Sequence, residues 1–278
     1  MGEPRLVCRI FRGGVIEIKN KIKIGVVSLS GGQDSTTVLT YAKRKGYELY
    51  ALSFIYGQTL SREIRQAKKI CQYLNVKHEI FDVSSFKELA WFSALTHPEK
   101  LPIPKYKKDE EIEEEIPFTY VPLRNSFFLV CCAAYLESVV LKKIEIDKVD
   151  PERIEAHIFI AANCIDYSNY PDCRPEYFRR VEKFLYYGSK LGTYYGVPIK
   201  IKTPIIRMSK KEITELGVKL KAPLHLTYTC YVGEKVACGE CPSCRLRIKG
   251  FKEAGYVDPI KYKIPIDWSG CKKINFEE

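Results

Sequence analysis

The sequence has no run of 18 or more apolar residues, so a membrane-spanning helix is not expected. Its opening, MGEPRLVCRI, carries charges at Glu3, Arg5 and Arg9 in place of the long apolar stretch of a secretory leader, which leads to the expectation of a cytoplasmic protein. Internal repeats and low-complexity tracts are absent, which sets aside repeat arrays and disordered linkers. Blocks of one charge sign are largely missing as well: the net charge of +11 comes from scattered basic residues, which reads as solubility before it reads as a nucleic-acid surface. A disulfide framework is also not expected, because eleven cysteines is an odd number in a chain without a leader.

What is present is apolar material, 46% of 278 residues, enough for one sizeable core in a large α/β domain with elaborations. Residues 22–28 form an apolar, β-branched run, the pattern of a buried strand. A helix over 35–45 follows, stopped near Gly46. Next come a strand over 48–56, an amphipathic helix over 61–74 with Ile64, Ala67, Ile70, Cys71 and Leu74 on one face, and a strand over 77–83. This β-α-β-α-β order predicts a Rossmann-like parallel sheet with helices on both faces. Residues 93–122 break the pattern with Pro98, Pro102, Pro104, Pro117 and Pro122 and an acidic run at 109–115, and read as a long functional or flexible loop.

Further along, a strongly apolar helix is expected over 125–141, with Cys131 and Cys132 as small core residues. A charged surface insertion over 142–155 and a strand over 158–162 come next. A helix over 175–191 has Pro175 at its first position, and a short helix is capped by Ser209 and closed by Gly217. Weak alternation around Gly13-Gly14 suggests a hairpin over 1–20. The domain reading is that hairpin, an α/β domain over 21–222 and a small C-terminal metal-binding region over 223–278.

Two motifs carry chemistry. Ser30-Gly31-Gly32-Gln33-Asp34-Ser35 lies between the first strand and the first helix. Glycines let the backbone approach an anion, the helix N-terminus supplies unpaired N–H groups, and Ser30 and Ser35 add hydroxyls. Asp34 beside phosphate calls for Mg²⁺ between them. The Lys-Ser/Thr ending of a Walker loop and the third glycine of a dinucleotide fingerprint are both missing. Ser-Gly-Gly-x-Asp-Ser after a strand is the signature of the ATP-pyrophosphatase loop, which holds departing pyrophosphate while AMP is transferred. The second motif is Cys230, Cys238, Cys241 and Cys244, whose CxxCxxC core suits a closed, structural Zn²⁺ site; an iron–sulfur cluster uses the same spacing.

With these motifs go Tyr56-Gly57-Gln58, Ser93-Ala94-Leu95-Thr96, Tyr120-Val121-Pro122-Leu123-Arg124-Asn125, a block from Asp166 through Tyr170-Pro171-Asp172-Cys173-Arg174, Thr203-Pro204-Ile205-Ile206 with Lys210, and Thr229-Cys230-Tyr231. In that order, over about residues 22–262, they resemble the 7-cyano-7-deazaguanine synthases, the QueC family. The resemblance implies an ATP-dependent ligase acting on 7-carboxy-7-deazaguanine and ammonia, which adenylates first a carboxylate and then an amide. The product feeds archaeosine or queuosine in tRNA.

It also implies roles. Leu29, Ser30, Gly31, Gly32, Gln33, Asp34, Ser35, Thr36, Thr37, Val38 and Leu39 would bind ATP, with Asp34, Lys210 and Asp172 catalytic. Tyr56, Gln58, Arg124, Asn125, Asp166, Tyr170, Asp172, Cys173 and Arg174 would bind the deazaguanine. A homodimer without direct nucleic-acid binding is implied as well. Asn163-Cys164 and Asn169 stand where the family pattern has glycine. The rival readings are an ATP-pyrophosphatase acting directly on tRNA, a sister enzyme that stops at the amide, and a non-enzymatic zinc-ribbon module.

Overall fold

The computed structural model describes residues 21–57, 61–101, 116, 118–164, 170–231 and 236–276. The hairpin expected over 1–20, and the candidates Gln58 and Asp166, lie outside the described residues. Among the described residues, five strands and eight α-helices follow in chain order: β1 (Ile22–Ser28), α1 (Gln33–Arg44), β2 (Glu48–Ile55), α2 (Ser61–Tyr73), β3 (Lys77–Asp82), α3 (Phe86–Leu89), α4 (Arg124–Leu141), β4 (Ile154–Phe159), α5 (Pro175–Gly188), α6 (Lys190–Thr193), β5 (Ile199–Lys202), α7 (Lys210–Lys219) and α8 (Pro242–Glu253).

The strands form one sheet in the order β3-β2-β1-β4-β5, and every pairing is parallel, as the alternation of elements predicts. The chain runs outward from β1 to β3, then returns to β4 on the other side of β1. That reversal puts the switch point between β1 and β4, where the C-terminal ends of strands leave a crevice for a ligand.

Each face of the sheet has its own core. On one side α4 and α5 cover Ile24, Val26, Leu52, Ile158 and Ile199, with Leu129, Cys132 and Leu136 of α4 fully buried. On the other, α1, α2 and α7 cover Val27, Ala51 and Phe159 with Val38, Leu39, Ala67, Ile70 and Ile213. Burying a side chain of this size is worth roughly 1.5–3 kcal/mol, so both layers are anchored by the strand residues the sequence marks as apolar. Cys131, read as a core residue, is half-buried on α4, whereas its neighbour Cys132 is fully enclosed.

Three sequence expectations need correction, the bounds of β4, the helix over 175–191 and the close at Gly217. Residues 142–155, read as a surface insertion, are mostly exposed or half-buried and continue the regular structure. α4 runs on into a π-helical turn (Lys142–Ile146) with Ile144 buried, and a 3₁₀ turn (Pro151–Arg153) leads directly into the sheet. Consequently β4 starts at Ile154 and ends at Phe159, four residues earlier and three shorter at its end than read, because His157 and Glu155 disguise an otherwise apolar strand. His157 is buried with Nδ1 2.7 Å from the Tyr47 hydroxyl, and burial, helped by Lys202, Lys200 and Lys23, pushes its pKa down to about 4.

The helix read over 175–191 breaks at Gly188. Ser189 takes an extended conformation and its hydroxyl accepts the Gly192 N–H at 3.1 Å, opening α6. α7 has the expected cap, with Ser209 and Glu212 in a reciprocal capping box. It does not close at Gly217 but continues to Lys219; Gly217 is a close-approach residue, since a Cβ there would meet Thr37 Oγ1 at 3.0 Å.

Candidate active site

β1 ends in the phosphate loop. Leu29 N–H still bonds to Leu52 O at 2.8 Å, and the Ser53 hydroxyl donates to Leu29 O at 2.6 Å, so the loop leaves the sheet from a fixed point. Gly31 then turns at φ +84, where a Cβ would lie 2.4 Å from the Glu63 carbonyl oxygen. Only glycine satisfies both the backbone conformation and the clearance. The Ser30 and Ser35 hydroxyls lie 3.0 Å apart, and the Gly32 N–H donates to Ser30 Oγ at 3.3 Å. Gln33 turns aside to donate to Thr214 Oγ1 of α7 at 2.8 Å. Thr36, Thr37, Val38 and Leu39 are buried in α1 and hold the loop from beneath, away from the cleft surface.

Asp34 and Lys210 meet across α1 and α7, Oδ2 to Nζ at 2.5 Å, with side chains 25% and 15% exposed. The pair is open enough to trade partners with a phosphate.

A cleft of about 340 Å³ begins at this loop and runs between the ends of β1 and β4, reaching Tyr56, Arg124 and Asn125. Arg124 and Asn125 open α4 directly after Leu123, which takes the left-handed conformation at φ +53. A non-glycine residue in that region is uncommon and clusters at functional sites. Burial works against the Arg124 charge, yet the Tyr56, Asp172 and Tyr170 oxygens that face it hold its pKa above the ordinary guanidinium value.

Asp172 is buried and does not line the cleft. Its Oδ2 accepts the Asn125 N–H at 3.4 Å, so it backs the first turn of α4 from behind. Burial raises its pKa and Arg124 opposes the rise. Cys173 is likewise buried, and burial together with Asp172 pushes its thiol up to about 12, which removes it as a nucleophile at neutral pH. Tyr170 bonds to the Thr119 hydroxyl at 2.7 Å, with its ring against Tyr120. Arg174 is exposed at the start of α5, away from the cleft. The arrangement thus brings Tyr56, Arg124 and Asn125 to the cleft and places Tyr170, Asp172 and Cys173 behind them. Asn163 donates its side-chain amide to Ile205 O and Met208 O at 3.1 and 2.6 Å, fixing the approach to α7.

The four cysteines gather as the spacing predicts. All four are buried and their sulfurs lie within 4.8 Å of one another, a set that could hold a metal ion. The Glu240 and Cys241 N–H groups point at Cys238 Sγ at 3.4 and 3.3 Å. The cluster is tied to the phosphate loop by the chain just before it: Tyr228 N–H donates to Gly31 O at 3.0 Å. Behind it, Arg247 is fully buried and paired with Asp258, Nε to Oδ2 2.6 Å and Nη2 to Oδ1 2.9 Å, while Nη1 donates to Thr227 Oγ1 at 2.7 Å.

Three cleft residues were given no role from the sequence, although Thr229 and Tyr231 fall in the Thr229-Cys230-Tyr231 block. Glu63 sits on the helix read only for its apolar face; burial pushes its carboxyl up to about 7, against the pull of Arg124. Thr229 has a buried hydroxyl with no hydrogen-bond partner among the described residues, beside Gly32. Tyr231 follows the first cysteine and also lines the cleft.

A glycine-turned loop opening a helix at the switch point of a parallel sheet, joined by one cleft to Arg124, is the architecture of a Rossmann-like α/β enzyme with a place for an anion at the helix start. The particular family is plain from comparison with known proteins. The chain belongs to the QueC family, whose model, described as Queuosine biosynthesis protein QueC, matches residues 24–255. It is 47% identical over 242 residues to the 7-cyano-7-deazaguanine synthase of Thermoplasma volcanium, covering 86% of this chain and 91% of that one. It is 42% identical over 241 residues to the protein of the same name from Oceanobacillus iheyensis, covering 86% and 98%.

Proposed function

We infer that this chain is an ATP-dependent carbon–nitrogen ligase that converts 7-carboxy-7-deazaguanine and ammonia into 7-cyano-7-deazaguanine. The observation that carries the reading is a single cleft joining an ATP-pyrophosphatase loop to Arg124, in a chain 47% identical to a synthase of that name over 86% of its length.

Removing oxygen from a carboxylate requires making it a leaving group. A carboxylate oxygen attacks the α-phosphorus of ATP, and pyrophosphate departs toward the open N–H groups at the start of α1, with Ser30, Ser35 and Lys210 receiving its charge. Ammonia then displaces AMP to give the amide. The same loop serves a second ATP, which adenylates the amide oxygen so that loss of AMP leaves the nitrile. Arg124 fits the planar carboxylate of the acid. Tyr56 and Asn125 complete that end of the cleft, with Asp172 as the positioning residue behind α4.

Mg²⁺ suits a site with one carboxylate plus substrate phosphates, and Asp34 would hold it, where it would neutralise phosphate charge. Structural zinc suits the four thiols: a zinc–sulfur bond of about 2.3 Å gives a tetrahedral sulfur–sulfur edge of about 3.8 Å, and Cys238 and Cys244 Sγ are 3.9 Å apart. No helix among the described residues is long and apolar enough to cross a membrane. A homodimer is what the family resemblance implies.

The test is turnover of purified protein with ATP, Mg²⁺, ammonium and 7-carboxy-7-deazaguanine, followed by mass spectrometry beside Asp34→Ala. Nitrile lost in the variant supports the reading. Amide alone points to a sister enzyme, and ATP binding without turnover points to tRNA as substrate.

A further inference from the structure

Ammonia poses a problem that the cleft as described does not solve. At neutral pH it exists mainly as ammonium, which has no free electron pair with which to attack an acyl-adenylate. Three cations line the cleft, Arg124, Lys210 and Arg247, the last two paired with Asp34 and Asp258. An ammonium ion entering there needs a carboxylate that is not already taken. Two carboxylates line the cleft among the described residues, Asp34 and Glu63. Asp34 is held by Lys210 at 2.5 Å. Glu63 makes no ion pair or side-chain hydrogen bond with a described residue, and its neighbours across the cleft are Arg124, Tyr56 and Tyr231.

We propose that Glu63 is the ammonium-binding residue and general base of this enzyme, a role that rests on the reaction inferred above. Its position suits the reacting centre. The first turn of α2 is pressed against the phosphate loop, where the Glu63 carbonyl abuts Gly31, so the side chain enters the cleft between the loop and Arg124. That is the interval between the departing phosphates and the end that holds the acid.

In the first half-reaction Glu63 takes one proton from ammonium. The freed nitrogen forms a bond to the acyl carbon, the bond from that carbon to the AMP oxygen breaks, and AMP leaves with the electron pair. The amide nitrogen sheds its extra proton to solvent. Between the halves Glu63 passes its proton to solvent; in the second, adenylation of the amide oxygen leaves a protonated carbon–nitrogen double bond that sheds one of its two N–H protons to solvent and keeps the other. Glu63 takes that proton, the third carbon–nitrogen bond forms, and AMP leaves again. One base at one place therefore serves both halves.

The experiment follows the two chemical stages separately in wild type, Glu63→Gln and Glu63→Asp. Acyl-adenylate formation from 7-carboxy-7-deazaguanine is read by pyrophosphate release in a single turnover without ammonium. Amide and nitrile formation are then read by mass spectrometry with ammonium, or with hydroxylamine, a nucleophile that is largely unprotonated at neutral pH. In Glu63→Gln, adenylation is expected to stay within about threefold of wild type, while amide formation falls by roughly 10²–10⁴-fold, the ordinary range for a general base. Glu63→Asp is expected to recover part of the loss, and hydroxylamine to restore product formation in Glu63→Gln to near the wild-type rate.

Equal loss of adenylation and amide formation in Glu63→Gln, or equal loss with both nucleophiles, would make Glu63 a substrate-holding or structural residue and overturn the proposal. Undiminished amide formation from ammonium overturns it as well. A wild-type chain that never adenylates this acid overturns the inferred function itself, which distinguishes the two failures.

Discussion

The two ends of the cleft hold their charges in opposite ways. At the phosphate end, Asp34 and Lys210 form a pair with 25% and 15% of their side chains still open, and the loop around them bonds mainly to its own hydroxyls and backbone. At the other end, Arg124 is set among Tyr56, Tyr170 and Asp172, groups brought in from two separate stretches of chain, each with its pKa raised by burial. The difference suits the ligands. Phosphate arrives with charge of its own and needs partners free to exchange. A planar carboxylate needs a guanidinium already oriented and shielded from water, so that little reorganisation remains when the acid binds.

The largest effect is expected from the strut that supports the phosphate end from outside. Asp258→Asn leaves Arg247 buried without its carboxylate, and breaking a buried pair from one side costs about 3–5 kcal/mol. A urea unfolding midpoint checks it, and an unchanged midpoint would mean that the C-terminal region does not brace the loop. Next comes Lys210→Met, which removes the cation nearest Asp34. If the phosphate end acts only on the departing pyrophosphate, both adenylations slow alike, by roughly 10²–10³-fold in kcat, the loss typical of one charge-stabilising donor. Rapid-quench measurement of each half-reaction tests the symmetry, and slowing of one half alone would break it.

How much of each end could be read in advance follows from how it is built. The phosphate loop is a contiguous hexapeptide between a strand and a helix, so its chemistry and its location at the edge of the sheet are both written locally. The cysteine cluster is legible for the same reason, since three of its four thiols fall within seven residues.

The acyl end has no such local signature. Arg124 and Asn125 stand out by opening a long apolar helix, but Glu63 lies next to Ile64 on a helix whose apolar stripe absorbs the attention. Only the packing of α2 on Gly31 brings its carboxylate inward. Asp172 is the reverse case, a conspicuous carboxylate in a distinctive block that the fold turns to the back of α4. The early start of β4 was hidden because period and composition cannot reveal that a charged-looking Ile-Glu-Ala-His segment is enclosed between β1 and β5.

At the acyl end, Arg124→Lys keeps the charge and loses the planar fork. The KM for 7-carboxy-7-deazaguanine should rise about ten- to a hundredfold, with the KM for ATP nearly unchanged. Steady-state kinetics with each substrate varied in turn decides it. A parallel rise in both constants would mean that the two ends are not separate sites.

The smallest effect is expected where the ends meet the metal-binding region. The Thr229 hydroxyl is buried beside Gly32 without a partner among the described residues, and Tyr228, the residue before it, is bonded to Gly31. An unsatisfied buried hydroxyl disfavours the empty protein, so Thr229→Val should leave stability unchanged or raise it slightly. If ATP supplies the missing acceptor, the same variant weakens ATP binding by about three- to tenfold, the worth of one hydrogen bond. Thermal unfolding with and without ATP separates the two effects: the valine variant should unfold at least as high as wild type when empty and gain less from the nucleotide. An equal gain would place Thr229 outside the ATP site and leave its hydroxyl as a local imperfection of the fold.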